Sequence, residues 1–307
     1  MKFRVITELF KETWEEWQKD KASRLAAALA YYTVFSLAPL LIIAIAIAGA
    51  IFGEEAARGE IVGQIQGLVG TEGAKVIEAA IENASKPDTS SLASFLSIIA
   101  LLFGASGVFA ELQDALNTVW EIEVKPGRGI KNFIRKRILS FSAVLGIGFL
   151  LLVSLVLSAG LAAVSNYLNG ILPGADFIWK IVDFVLSFVI VTLLFALMYK
   201  YLPDVKIKWN DVLIGAAMTA LLFSIGKSIL GIYLGGGSFG STYGAAGSLI
   251  IVLAWVYYSA QILFFGAEFT QVYARRFGSQ IVPERHATWT DERAKFEREK
   301  GRRRDNS

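Results

Sequence analysis

The residues able to do chemistry are few and unevenly placed. The chain holds one histidine, His286, and no cysteine. Thiolate nucleophiles, disulfides and iron–sulfur ligation are thereby excluded, and most zinc and di-metal hydrolase sites lack their ligands. His286 follows Pro283 in a charged terminal segment and reads as a solvated side chain. Glu111 and Asp114 stand at i, i+3 on one helix face, with Gln113 and Asn117 beside them. They are either a metal or proton site or, on the reading we favour, an ion-pair network with Arg24, Arg135 and Arg137 that also takes in Glu268. Lys227 and Asp183 are charges inside otherwise apolar runs. Lys227 lies seven residues before Leu234 and Asp183 six past Phe177, about 10 Å and about 9 Å below the same face. Such depths suit a Lys227–Asp183 pair, either structural or part of a substrate site, or snorkelling of Lys227 to the outer headgroups. No catalytic set, metal site or cofactor site follows from these residues.

The elements that must position these groups are membrane helices. Of 307 residues 54% are hydrophobic and 19% charged, and the mean hydropathy is +0.52, more apolar than one water-soluble core can hide. Uncharged or nearly uncharged runs cover 25–53, 89–110, 138–175, 177–199, 212–234 and 249–267, each long enough for a crossing of about 20 residues. The fold class is therefore an all-α, polytopic integral membrane protein with six transmembrane helices. Of the 30 Lys and Arg, 25 fall in the two terminal segments and the loops 121–138 and 200–210, which puts both termini in the cytoplasm. The first apolar run is too long for a signal-peptide core and reads as an uncleaved anchor.

Three units follow. Residues 1–24 form a cytoplasmic amphipathic interfacial helix, with Phe3, Ile6, Phe10, Trp14 and Trp17 at steps of three and four. Residues 25–275 form the six-helix membrane domain, and within it 54–88, with seven acids against three bases, is an outer helical cap. Residues 276–307 form a charged cytoplasmic tail, flexible from 283, whose Arg302, Arg303 and Arg304 are solvated. Pro39 bends the first span beside Ser36, as a static kink or a hinge. The run 235–248 is glycine-rich but lacks the GK[ST] ending of a phosphate loop, so energy from bound ATP is not expected.

The strings 28-ALAYYTVFSLAPLL-41, 112-LQDALNTVW-120, 127-GRGIKNFIRKR-137, 202-LPDVKIKWNDVLIGA-216 and 243-YGAAGSLIIVLAWVYYSAQILFFGAE-268 resemble the YihY/virulence factor BrkB family over about Arg24 to Arg276. Tyr31, Tyr32, Ser36, Pro39, Asn117, Trp120, Pro203, Tyr243, Gly244, Gly247, Trp255 and Glu268 match its motif positions. The resemblance implies a six-helix inner-membrane protein of a prokaryote, in a family once labelled ribonuclease BN and since assigned to envelope or transport roles. The residues themselves give the nuclease label no support, since a zinc-dependent nuclease needs several histidines.

The expected function is non-enzymatic transport of a lipid or other anionic amphiphile across or within the cytoplasmic membrane. Its expected path is a cavity opening outward, lined by Lys227, Asp183, Tyr31, Tyr32 and Ser36. The alternative is an envelope-assembly scaffold with envelope protein partners. Membrane lipids are expected partners and nucleic acid is not; no feature speaks to oligomeric state. The topology is checked directly because the chain has no native cysteine. A cysteine placed at Lys75 should react with an impermeant maleimide from outside the cell. Labelling there only after the membrane is broken would overturn the six-span order.

Overall fold

In the computed structural model of the chain, the residues described are 3–84, 91–125, 176–235, 245–278 and 281–295. They form, in order, α1 (Phe3–Lys19), α2 (Ala22–Phe52), α3 (Glu54–Ala84), α4 (Ser91–Val119), β1 (Ile122–Val124), α5 (Asp176–Tyr201), β2 (Val205–Lys206), α6 (Trp209–Gly235), α7 (Ala245–Arg276), β3 (Val282–Pro283) and β4 (Ala287–Trp289). Among the described residues four stretches are long and apolar enough to cross a bilayer: Ala22–Ala50, Phe184–Tyr201, Trp209–Leu230 and Leu249–Arg276. The expected second crossing falls in α4, and the expected third, 138–175, lies outside the described residues.

Helix α7 is the hub. It packs against α1, α2, α3, α4 and α6, while α5 packs on α6. Small residues permit its closest crossings, as expected where lipid supplies no hydrophobic drive between helices. A Cβ on Gly266 of α7 would run into Thr219 Oγ1 of α6, and one on Gly215 of α6 into Thr270 Oγ1 of α7. Tyr199 of α5, fully buried, closes the same layer: its hydroxyl donates to the Leu263 carbonyl at 2.7 Å and lies 3.1 Å from Thr219 Oγ1. On the other side, Ser36 Oγ of α2 donates to the Gly104 carbonyl of α4 at 2.6 Å. The Pro39 ring would stand 3.0 Å from a Cβ on Gly104. Ser36 and Pro39 thus serve the α2–α4 crossing.

Helix α3 is two arms, since Gly70 at φ 77 breaks it, a backbone region open to glycine at little cost. Arg58 and Glu78 link the arms at 3.9 Å, and Ile77 and Ile81 pack with Ile45 of α2 and Ile251 and Val252 of α7. Helix α1 buries Leu9 and Thr13 and packs on α7 near Phe269 and Val272. Its Ile6, Phe10 and Trp14, at steps of four, remain exposed.

The terminal segment departs from the expected flexible tail. Residues 281–295 return to the α1 end of the bundle, where β4 pairs antiparallel with β1 and β3 with β2. Arg302, Arg303 and Arg304 lie outside the described residues. Backbone pairing of this segment satisfies donors that a charged stretch would otherwise leave to water.

If the crossing layer carries the packing as described, Gly266→Ala should cost about 1–3 kcal/mol by overpacking, whereas Tyr199→Phe should cost about 0.6–1.5 kcal/mol. Thermal melts of the purified protein in detergent rank the two. A Gly266→Ala variant as stable as wild type would remove the close crossing.

Candidate functional site

At the α1 end, charged side chains from four parts of the chain converge. Glu8, Glu12 and Glu16 recur every fourth residue on α1 and so share one face. That face meets Arg275 and Arg276 in the last turn of α7, where cations also complement the helix dipole. Arg275 binds Glu12 at 2.5 Å and Glu16 at 3.0 Å; Arg276 binds Glu8 at 2.9 Å and Glu12 at 3.7 Å. Lys19 bridges Glu16 at 3.2 Å and Glu121 at 3.0 Å. From the terminal segment, Arg293 reaches Glu121 at 3.4 Å. Glu12, Glu16, Lys19, Glu121, Arg275, Arg276 and Arg293, with Glu292, line a cavity of about 550 Å³. Four acids and four bases leave it close to neutral while every wall is charged.

Titration behaviour follows from the pairings. Burial would push Glu16 up, but the hydrogen bond and charge of Arg275, aided by Lys19, hold its carboxyl below the ordinary range. Burial would also lower Lys19, yet Glu121 and then Glu16 keep the ammonium above its ordinary value. Asp20, in the turn between α1 and α2, is the exception. Burial pushes it up to about 7; Lys19 opposes this, and Glu121, Glu16 and Glu292 add to it.

A second polar cluster sits beside this cavity wall. Asp204, buried between α5 and β2, accepts from Asn117 Nδ2 at 2.9 Å and Gln113 Nε2 at 3.3 Å on one oxygen. Its other oxygen lies 2.8 Å from His286 Nε2. The backbone N–H of Asp204 donates to Asn117 Oδ1 at 2.8 Å, and its carbonyl accepts from Glu284 N at 2.9 Å. One carboxylate therefore fastens α4, the α5–α6 link and the terminal segment. His286 is thus not the solvated tail histidine expected, but a partly buried partner of Asp204.

The expected site residues are not gathered in one place. Tyr31 and Tyr32 are exposed on α2 and meet edge-on with ring centres 5.8 Å apart, while Ser36 is buried in the helix crossing. Lys227 is exposed on α6, not enclosed. Helix α7 packs against both α2 and α6, so the tyrosines and the lysine stand on elements that it joins. The side chain of Asp183 lies outside the described residues, as do Arg135 and Arg137. Of the expected network, Asn117 binds Asp204, Glu111 is half-buried, and Asp114 and Arg24 are exposed. Glu268 is fully buried, and among the described residues neither of its oxygens has a hydrogen-bond partner. Sequence reading missed the α1 acids and Asp204. The every-fourth-residue acids facing the Arg275–Arg276 pair were the available signal; Asp204 and His286 carry none, since 82 residues separate them. Among the described residues no three His, Cys, Asp or Glu side chains are placed to hold a metal ion.

These observations define a helical membrane bundle closed at one end by ion pairs. The family model described as Virulence factor BrkB matches residues 13–290, and the chain belongs to that family. It is 27% identical over 267 residues to a UPF0761 membrane protein of Psychrobacter sp. (strain PRwf-1), covering 86% of this chain and 48% of that one. A UPF0761 membrane protein of Pseudomonas aeruginosa (strain LESB58) is 28% identical, with 81% and 58% covered. One from Pseudoalteromonas atlantica (strain T6c / ATCC BAA-1087) is 29% identical, with 83% and 82% covered. The chain thus spans about half the length of the first two relatives. No solved structure matches it.

Asp20 gives a test with a defined sign. An acid whose folded pKa is raised loses stability as pH climbs from its unfolded value through the folded one, about 7 here. Asp20→Asn removes that penalty. Its melting point should exceed wild type by about 2–4 °C more at about pH 8 than at about pH 5, allowing for solvent screening. An equal difference at both pH values would show Asp20 to be unperturbed.

Proposed function

We propose that this protein is a non-enzymatic transporter of a prokaryotic cytoplasmic membrane that moves a lipid or other anionic amphiphile across or within the bilayer. In this reading the bundle crosses six times, both ends face the cytoplasm, and the charged cavity lies on the cytoplasmic side. The 25 of 30 basic residues at that side support the orientation, and so does the exposed Ile6–Phe10–Trp14 stripe of α1, which suits the headgroup layer.

The observation that carries the proposal is Lys227. It is exposed within the Trp209–Leu230 span, 18 residues into α6 and about 27 Å from the helix start. A cation at mid-span costs about 2.5–3.5 kcal/mol, and less toward the interface. Held at the outer end of a span, its ammonium reaches the headgroup level and can bind phosphate or carboxylate. On α2 the exposed Tyr31 and Phe35, 59% and 65% accessible, offer ring faces to acyl chains. A scaffold role is the second reading, favoured by the mixed-charge cavity, whose walls could receive a charged protein segment.

The full chain reconstituted into vesicles holding fluorescent phosphatidylglycerol tests this, with an impermeant quencher reporting movement between leaflets. Movement should exceed protein-free vesicles. Lys227→Ala should slow it about tenfold, equivalent to about 1.4 kcal/mol, and Lys227→Arg should preserve most of it. No protein-dependent movement, or a wild-type rate in Lys227→Ala, would overturn the proposal.

A further inference from the structure

We propose that Glu268 and Asp20 form a proton-binding site, in which Glu268 holds the proton inside the bundle and Asp20 passes it to and from the charged cavity. The geometry starts with Glu268, 0% exposed on α7 and without a hydrogen-bond partner at either oxygen among the described residues. One turn further on the same face, Gln271 is 4% exposed and its side-chain carbonyl is likewise unpartnered. Each buried acceptor left unsatisfied in this way costs about 1–3 kcal/mol. A proton on Glu268 converts one acceptor into an O–H donor. A divalent metal would need more ligands than this spot offers, since no three acidic or imidazole side chains converge among the described residues.

The surrounding charges supply the route. The charges that act on Glu268, after its burial, are those of Asp20, Glu16 and Glu121, with Lys19 the opposing cation. Arg275 of α7 itself is committed to Glu12 and Glu16. From the terminal segment, Arg293 is paired with Glu121, and Glu292 faces Asp20. Lys19, Glu16, Glu121 and Glu292 all line the cavity, and Asp20, next to Lys19 in the chain, is acted on by these four and acts in turn on Glu268. A proton taken from water neutralises Asp20; its transfer leaves Asp20 ionised and Glu268 neutral, and the pair keeps one negative charge throughout the handover. In a transporter lacking a nucleotide-binding loop this proton would be the coupling ion. That role rests on the transport reading, whereas the site does not.

Infrared difference spectroscopy of the full chain in detergent, titrated between about pH 5 and about pH 9, tests the site without any transport assay. Two protonated-carboxyl components, from Asp20 and Glu268, should titrate in wild type; Asp20→Asn should leave one, its midpoint moved by about one pH unit or more, as coupled sites do, and Asp20→Asn combined with Glu268→Gln should leave none. A band that persists in the double variant would overturn the assignment. So would loss of the wild-type band at fixed pH when sodium replaces choline, which would make the occupant a sodium ion. If the double variant does not fold, the Asp20→Asn midpoint decides alone, and an unshifted midpoint overturns the site. A positive titration in a protein that moves no lipid would sink the transport reading and leave this site standing.

Discussion

The close approach of α6 to α7 is the constraint on which the rest of the molecule depends. Gly215 meets Thr270 and Gly266 meets Thr219 without room for one further methyl group, so the two backbones can sit in this register and in few others. Between apolar helices in lipid, such contact and the hydrogen bonds of Tyr199 provide the attraction that water would otherwise supply. Because α7 also packs on α1, α2, α3 and α4, its placement by α6 places all of them. It also decides that Glu268, two residues past Gly266, is turned into the bundle and not toward lipid.

From that placement the charged end assembles. Arg275 and Arg276 emerge where α7 leaves the apolar layer, and three acids of α1 meet them. Exposed pairs of this kind contribute little singly, but here they are partly buried and chained: Glu16 shares Arg275 with Glu12 and Lys19 with Glu121. The chain of contacts, more than any one pair, holds α1 on the bundle. Asp204 does a comparable task with neutral partners. Asn117 and Gln113 satisfy one oxygen and His286 the other, so a buried carboxylate is compensated without a second charge of fixed sign. Its consequence is an ordered terminal segment whose Arg293 and Glu292 complete the cavity wall.

In the transport reading proposed above, two kinds of chemistry lie at opposite ends of the spans. At one end, charges are enclosed and mutually neutralising, which in that reading suits proton handling. At the other, the exposed Lys227 of α6 stands where that reading puts the anionic headgroups. Membership of the BrkB family and the membrane-protein relatives bear on the membrane class alone.

Much of this was legible in the residues themselves. Long uncharged runs determine membrane helices by the cost of leaving backbone groups unpaired in lipid, and the distribution of lysine and arginine indicates which ends should share a side. The family was legible too, from strings such as 112-LQDALNTVW-120 whose order and spacing carry the resemblance. The partners of the charges were not. Glu111, Asp114 and Glu268 looked alike as acids at helix ends, yet Glu268 alone is enclosed, because helix rotation about α7 is set by Gly266 and Thr219, not by charge. His286 met Asp204 only through two short strand pairings that no periodicity in a charged tail announces. Local pattern determines which segments enter the membrane; which side chains then face one another is decided by how closely the helices can approach, and that is a property of the assembled bundle alone.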